Sequence, residues 1–338
     1  MFYKTIIQGR LSFGTQKSYD KIVKMYEYRT ETYYKSDILL QKEDIFNPED
    51  LSLIITRYVG NASDKNFKNT VSLLDYCSQF AVAGSIQAWM IDEGKIKNQA
   101  DIQPQSDRSV VQQFQKGDQF FREGNKDNEA LDAFSKTIES YQKHGQAYER
   151  RGWVNLRLEN FGDALYDFNK AISLDDTIAF AYYGRALIYK NEGNIEAAVA
   201  DFQNTVKRAV ALQPLHWKGR LRKAECLIEM EQWEKAAFEL KFFTNRKFAK
   251  DDTNLLRRPR ALALYGLVKF QLEENKEALE LLNEAIELND ENSKSFNLGQ
   301  AYYYRGLVKK KMRKKDSQSD FKEALALGEK RAKEMIKK

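Results

Sequence analysis

Residues 145–178 read GQAYERRGWVNLRLENFGDALYDFNKAISLDDTI, and their apolar residues fall at helical spacing in two runs joined by a short turn. The stretch therefore predicts a helical hairpin. The same pattern returns 34 residues to either side. Ala130, Ala164 and Ala198 are in step, as are Phe134, Phe168 and Phe202, and as are Thr137, Ala171 and Thr205. Three small–aromatic–small triplets in phase over about a hundred residues predict a helical repeat.

The triplet has a packing reason. Two helices cross closely only where small residues face each other, here Gly152 on the first helix and Ala164 on the second, with Ala186 and Ala198 one hairpin later. The aromatic four residues past the alanine stays on the same helical face, where it can fill the seam with the next hairpin. A single hairpin cannot bury that face, so stacking is obligatory.

On these residues, positions 111–338 resemble a tetratricopeptide repeat array. That family places an aromatic, a Gly or Ala and an aromatic on the first helix, then Ala, aromatic, Ala on the second. The second hairpin supplies Tyr148, Gly152, Ala164, Phe168 and Ala171, and the third Tyr182, Ala186, Tyr189, Ala198, Phe202 and Thr205. Later hairpins keep Trp233, Ala236, Leu240 and Phe243; Gly266, Ala278, Leu282 and Ala285; and Tyr302, Gly306, Phe321 and Ala324. The resemblance implies an all-α superhelix of about six hairpins over residues 110–338. The alanine steps lengthen to 38 and 42 after Ala198, and Asp176 stands where the family usually has proline.

Residues 1–92 do not follow the 34-residue pattern. Tyr3–Phe13, Asp37–Phe46, Leu51–Val59 and Ser85–Ile91 read as strands, and Gln16–Tyr34 and Asp64–Ala83 as helices, with Tyr19, Ile22, Val23 and Tyr26 at helical spacing in the first. The order β-α-β-β-α-β is that of a ferredoxin-like sandwich, and another small α+β arrangement is the alternative. Residues 93–109, EGKIKNQADIQPQSDRS, are polar, carry Pro104 and read as a linker. The four prolines, Pro48, Pro104, Pro214 and Pro259, avoid every predicted helix interior, where each would cost about 3 kcal/mol.

At 338 residues with 42% hydrophobic content the chain can build two domains or one long array. Cys77 and Cys226 are too few and too far apart for a disulfide framework, which favours a reducing compartment. The start MFYKTIIQGRLSFG lacks a signal-peptide pattern and no 18-residue apolar run occurs, so a soluble cytoplasmic protein without a membrane span is expected. The net charge of +6 sits at one end, since residues 305–338 hold 13 Lys and Arg against 5 Asp and Glu.

Sites for chemistry are sparse. Gly9–Gly14 is followed by Thr15, Gln16 and Lys17, so the lysine falls two residues late for a phosphate-binding loop. The two histidines, His144 and His216, have no Cys or second His at ligand spacing, so no metal and no cofactor is expected. Cys77 and Cys226 read as buried structural thiols, and Asp175–Asp176 and Asp251–Asp252 as turn and capping residues. The chain reads as a non-enzyme.

The resemblance implies that first helices line a concave groove for a peptide or a partner's helix. By register the groove positions are Glu149, Arg150, Trp153, Leu156 and Arg157, then Phe180, Tyr183, Gly184, Leu187 and Lys190, then Leu221, Ile228, Leu264, Leu267, Phe270, Tyr303, Tyr304 and Leu307. Aromatics with interspersed cations favour a protein partner. The family's carboxylate-clamping branch needs Lys and Asn where this chain has Phe114 or Gln115, Asp118 or Gln119, Arg150, Phe180 and Gly184, so chaperone-tail capture by that route is not implied. A second basic cluster, Arg246, Lys247, Lys250, Arg257, Arg258 and Arg260, surrounds the loop before the fifth hairpin. Lys309, Lys310, Lys311, Arg313, Lys314 and Lys315 place six cations in seven residues and make nucleic-acid association the alternative. No interleaved stacking aromatics accompany the run, which favours a solvated turn and a polar outer cap for the last repeat.

Overall fold

The computed structural model describes residues 1–106, 108–288 and 296–336. They divide into two compact units, Met1–Gly184 and Arg185–Lys338.

The first unit begins β1 (Tyr3–Ser12), α1 (Gln16–Thr32), α2 (Lys42–Ile45), β2 (Phe46–Asn47), β3 (Ser52–Ala62), α3 (Asp64–Ser78), β4 (Ala83–Asp92) and β5 (Lys95–Ile102). The sheet is antiparallel throughout, in the order β2-β3-β1-β4-β5. Strand alternation sends Ile7 and Leu11, Leu53 and Ile55, and Ile86, Ala88 and Met90 into one core with Tyr19, Ile22 and Tyr26 of α1 and Phe67, Leu74 and Cys77 of α3. Both helices therefore cover the same face. Thr15 and Ser63 start them by accepting the backbone N–H groups of Ser18 and Asn66 at 3.2 and 3.1 Å. A bulge interrupts the β1–β3 pairing between Ile7 and Gly9, and a Cβ on Gly9 would lie 2.1 Å from the Ser85 carbonyl oxygen. Gly9 is thus strand, which removes the loop that phosphate binding requires.

Two sequence expectations need correction here. Asp37–Phe46 is not a strand: Lys42–Ile45 forms a helical turn, and only Phe46 and Asn47 pair with β3. Residues 93–109 are not a linker, because Lys95–Ile102 returns as β5 against β4. Only Ile102 of that strand is buried. A sheet-edge strand exposed along its length carries the polar composition of a linker.

Beyond the sheet, twelve helices among the described residues pair into six hairpins. They are α4 (Ser109–Glu123) with α5 (Asp127–Ser140), α6 (Gly145–Arg157) with α7 (Phe161–Leu174), α8 (Ala179–Asn191) with α9 (Ile195–Arg208), α10 (Pro214–Glu229) with α11 (Trp233–Asn245), α12 (Arg258–Gln271) with α13 (Asn275–Glu287), and α14 (Leu298–Lys311) with α15 (Ser317–Ala326). A short α16 (Ala332–Ile336) follows. Every alanine and aromatic of the three in-phase triplets is fully buried, as are Ala236, Leu240 and Phe243, Ala278, Leu282 and Ala285, and Phe321 and Ala324.

Glycine fixes the closeness of the crossings. A Cβ at Gly152 would stand 2.9 Å from the Phe168 ring, and one at Gly184 would stand 2.3 Å from the same ring. Phe168 thus sits between the first helices of its own and the following hairpin. At Gly152 the nearest neighbours of such a Cβ belong to Phe168 and Asp167.

In the first unit the second face of the sheet rests on the hairpins. Arg10 donates from Nη1 to the Leu174 carbonyl at 3.2 Å, Gln146 donates to Ser85 Oγ at 2.9 Å, and Val82 packs with Val110, Val111 and Tyr141.

Candidate functional site

The hairpins are cross-braced by charge. Arg151 of α6 grips Asp167 of α7 with Nε and Nη2 at 3.0 and 2.7 Å, and Asn155 adds a third donor at 3.1 Å. Arg185 holds Asp201 at 2.7 and 2.8 Å in the next hairpin. Lys223 and Arg220 hold Glu239 at 2.7 and 2.5 Å, and Arg305 holds Asp320 at 3.0 and 2.7 Å. Each of these acids is buried. Sequence reading missed them, although Arg151 and Arg185, and Asp167 and Asp201, share the 34-residue phase. The braces fix the rotation of each first helix, and with it the side chains on its other face.

In the first unit that face carries Arg150, Trp153 and Arg157 of α6 and Phe180 and Tyr183 of α8. Trp153 stacks on Tyr183 with ring centroids 6.2 Å apart and planes at 26°, and meets Phe168 edge-on at 5.6 Å. Its indole N–H points to the Glu149 carboxylate outside hydrogen-bond geometry. Phe180 is exposed, and Leu156 is half-buried. Arg150 bridges Asp118 of α4 and Glu149, each at 3.0 Å, and lies over the Phe121 ring. Arg157 pairs with Asp127 and also lies over the Phe121 ring, at 4.9 Å. Glu149 is buried, and burial pushes its carboxyl up against the pull of Arg150. The two arginines are thus engaged within the protein, and of the three aromatics Phe180 is exposed while Trp153 and Tyr183 are half-buried against each other.

In the second unit the expected residues separate. Leu221 and Leu267 are buried in one core with Trp217, Leu240, Phe243 and Tyr265, and Ile228 is half-buried against it. Lys190 pairs with Glu229 at 2.6 Å, and Leu187 is half-buried. Between α12 and α14 lies a cavity of about 270 Å³, walled by Arg260, Ala263, Leu264, Leu267, Phe296 and Tyr304 among others. Phe270 closes on Tyr304 at 6.4 Å. Tyr303 and Leu307 do not face open space, because they pack with Ala332, Met335 and Ile336 of α16, and Arg331 lies over the Tyr303 ring at 4.7 Å. The polypeptide that follows the last hairpin covers them.

Tetratricopeptide repeat profiles match residues 114–177 and 183–240, and a further one matches residues 259–292. The chain belongs to the tetratricopeptide repeat family. It is 29% identical over 109 residues to serine/threonine-protein phosphatase T of Aspergillus oryzae, which is 32% of this chain and 22% of that one. It is 32% identical over 91 residues to human DnaJ homolog subfamily C member 7, covering 26% of this chain and 18% of that one. The chain spans about a fifth of the length of these curated relatives. The solved structure of pilF from Pseudomonas aeruginosa superposes with a TM-score of 0.50 at 13% identity, over 65% of this chain and 92% of that one, which bears on fold alone.

The basic run closes the sixth repeat. Lys309 pairs with Asp316 and Asp320 at 2.6 and 2.9 Å, and Lys311 with Glu273 at 2.9 Å. Lys310, Arg313, Lys314 and Lys315 are exposed. Among the described residues no group of three His, Cys, Asp or Glu could hold a metal, and no helix is long and apolar enough to cross a membrane. Both thiols are buried; burial raises Cys77 strongly and Cys226 to about 11. His144 caps α6 by accepting the Ala147 N–H at 3.2 Å and stacks on Phe114 at 4.6 Å, and burial lowers it to about 3.

Proposed function

We propose that this tetratricopeptide repeat protein is a non-enzymatic interaction scaffold, working in a reducing compartment such as the cytoplasm, whose first-helix faces hold a peptide or helix of a partner protein. One observation carries the reading: Trp153 and Tyr183, on neighbouring first helices, stack on each other, and Phe180, one turn before Tyr183 on the same helix, is exposed. Rigid aromatics presented side by side bury large area at low entropy cost. The rings are oriented by the buried braces beneath them, and so are set before a partner arrives.

The test is capture. Affinity purification on the wild-type chain identifies partners, and the same partners are then presented to the Trp153→Ala, Tyr183→Ala double variant. Capture should fall at least tenfold while the far-ultraviolet circular dichroism stays helical. Undiminished capture by a folded variant refutes the assignment of this strip. The nucleic-acid reading rests on Lys310, Arg313, Lys314 and Lys315, and it predicts an affinity for duplex or single-stranded oligonucleotide that falls steeply with salt. Pairing of Lys309 and Lys311 within the protein weakens it.

A further inference from the structure

The face formed by α10, α12 and α14 in the second unit gathers four cations on its α10 and α12 side. Lys218 and Arg222 stand one turn apart on α10, and Arg257 and Arg260 one turn apart at the start of α12. Fully buried Asn254 donates to the Pro214 carbonyl at 3.1 Å, which ties the segment ahead of α12 to the first turn of α10 and brings Arg257 beside Lys218. Among the described residues, the acids Glu225 and Asp252 face them. The buried Glu225 carboxylate is shared by Arg222 at 2.8 Å and Arg260 at 2.9 Å. Asp252 lies near Lys218, but its Oδ1 accepts the backbone and side-chain N–H groups of Asn254 at 2.8 and 3.1 Å. Arg257 donates once, to the Thr253 carbonyl at 2.7 Å.

Lys218 is the unsatisfied member. It is half-buried, yet among the described residues its ammonium makes neither an ion pair nor a hydrogen bond. Burial and the charge of Arg257 both lower its pKa. A cation held in this way gains from an incoming carboxylate, because the cost of withdrawing it from water is already met in the unbound fold. Arg260 joins this cluster to the cavity of about 270 Å³, whose remaining wall sets Leu264, Leu267, Phe296 and Tyr304 beside the polar Asn297 and Gln300. That volume suits one large apolar side chain.

We propose that this face binds an acidic segment of another protein: an Asp or Glu side chain closes on Lys218 and Arg257 while a large apolar side chain of the same segment fills the cavity between α12 and α14. The proposal rests on the scaffold reading and names the partner's chemistry. A peptide fits better than a nucleic acid, since the cations are gathered at one spot, joined through Arg260 to a pocket of mixed apolar and polar lining, and do not track along a groove lined with stacking rings.

The test is an array of random dodecamer peptides probed with the labelled full chain. Bound sequences should be enriched in Asp and Glu together with Phe, Leu, Met or Trp. Lys218→Gln with Arg257→Gln should erase the acidic enrichment and weaken the strongest acidic peptide at least tenfold, and Ala263→Phe should erase the apolar preference. Each variant is checked for wild-type thermal unfolding. A neutral or basic bound set, an unaffected Gln variant, or an oligonucleotide that displaces the peptides through Lys218 and Arg257 overturns the proposal. Neutral peptides whose binding depends on Trp153 and Tyr183 would sink the acidic assignment and leave the scaffold standing. If no sequence is selected and Trp153 and Tyr183 are immaterial to capture, both readings fail.

Discussion

Acid should loosen the first unit through His144. Its ring is buried between Phe114 and the start of α6, where Nδ1 must stay unprotonated to accept the Ala147 N–H. Burial lowers the folded-state pKa to about 3, partly opposed by a backbone hydrogen bond, whereas an unfolded histidine titrates near 6.5. A group whose folded pKa is depressed contributes stability that is complete above the unfolded pKa and is lost as the pH falls. The window here runs from about 6.5 down to about 3, at about 1.4 kcal/mol per pH unit. Between pH 7.5 and 4.5 the loss is therefore about 2.7 kcal/mol. His216 is also lowered by burial and adds a loss of the same sign, so a reference variant is needed. His144→Asn supplies it, because asparagine can cap the helix and does not titrate. Urea unfolding followed by circular dichroism at pH 7.5 and 4.5 gives the comparison. The wild type should lose about 2–3 kcal/mol more than the variant on acidification, with hydrogen exchange at Ala147 and its neighbours rising first. The variant sits lower at pH 7.5 for want of the Phe114 contact, but only the slopes decide. Parallel slopes would refute the reasoning.

Asp167→Ala strips Arg151 and Asn155 of their buried acceptor and should cost about 3–5 kcal/mol in urea unfolding, while Arg151→Met with Asp167→Leu recovers most of it; equal losses would mean the brace is not a coupled pair. Gly184→Ala pushes a methyl to within 2.3 Å of the Phe168 ring and should cost about 1–3 kcal/mol, whereas Gly162→Ala meets nothing within 4 Å and should gain about 0.5–1 kcal/mol. Equal shifts in thermal midpoint would contradict this packing. Native protein at pH 7.5 should leave Cys77 and Cys226 unreacted with a disulfide reagent and show two thiols once unfolded in urea; fast modification of either would contradict its burial.

What a sequence discloses here depends on how many side chains could satisfy a position. Phe168 has Gly152 on one side and Gly184 on the other, each with no room for a methyl, so small and aromatic residues had to recur and the hairpins were legible. The acids Asp167, Asp201 and Asp320 recur under equal constraint, but a charged residue on an amphipathic helix also reads as solvated, and nothing in its type announces that an arginine across the hairpin buries it. The edge strand Lys95–Ile102 was hidden for the converse reason, since a strand with water on its sides needs no apolar alternation. Binding faces are the least legible, because register tells which way Tyr303 turns but not that α16 lies on it, and it places Leu267 on a first helix without showing that the core takes it. Lys218 makes the same point from the other side. The contact pattern of the folded chain, not residue type, separates Arg222 and Arg260, which share Glu225, from Lys218, whose ammonium makes no ion pair among the described residues.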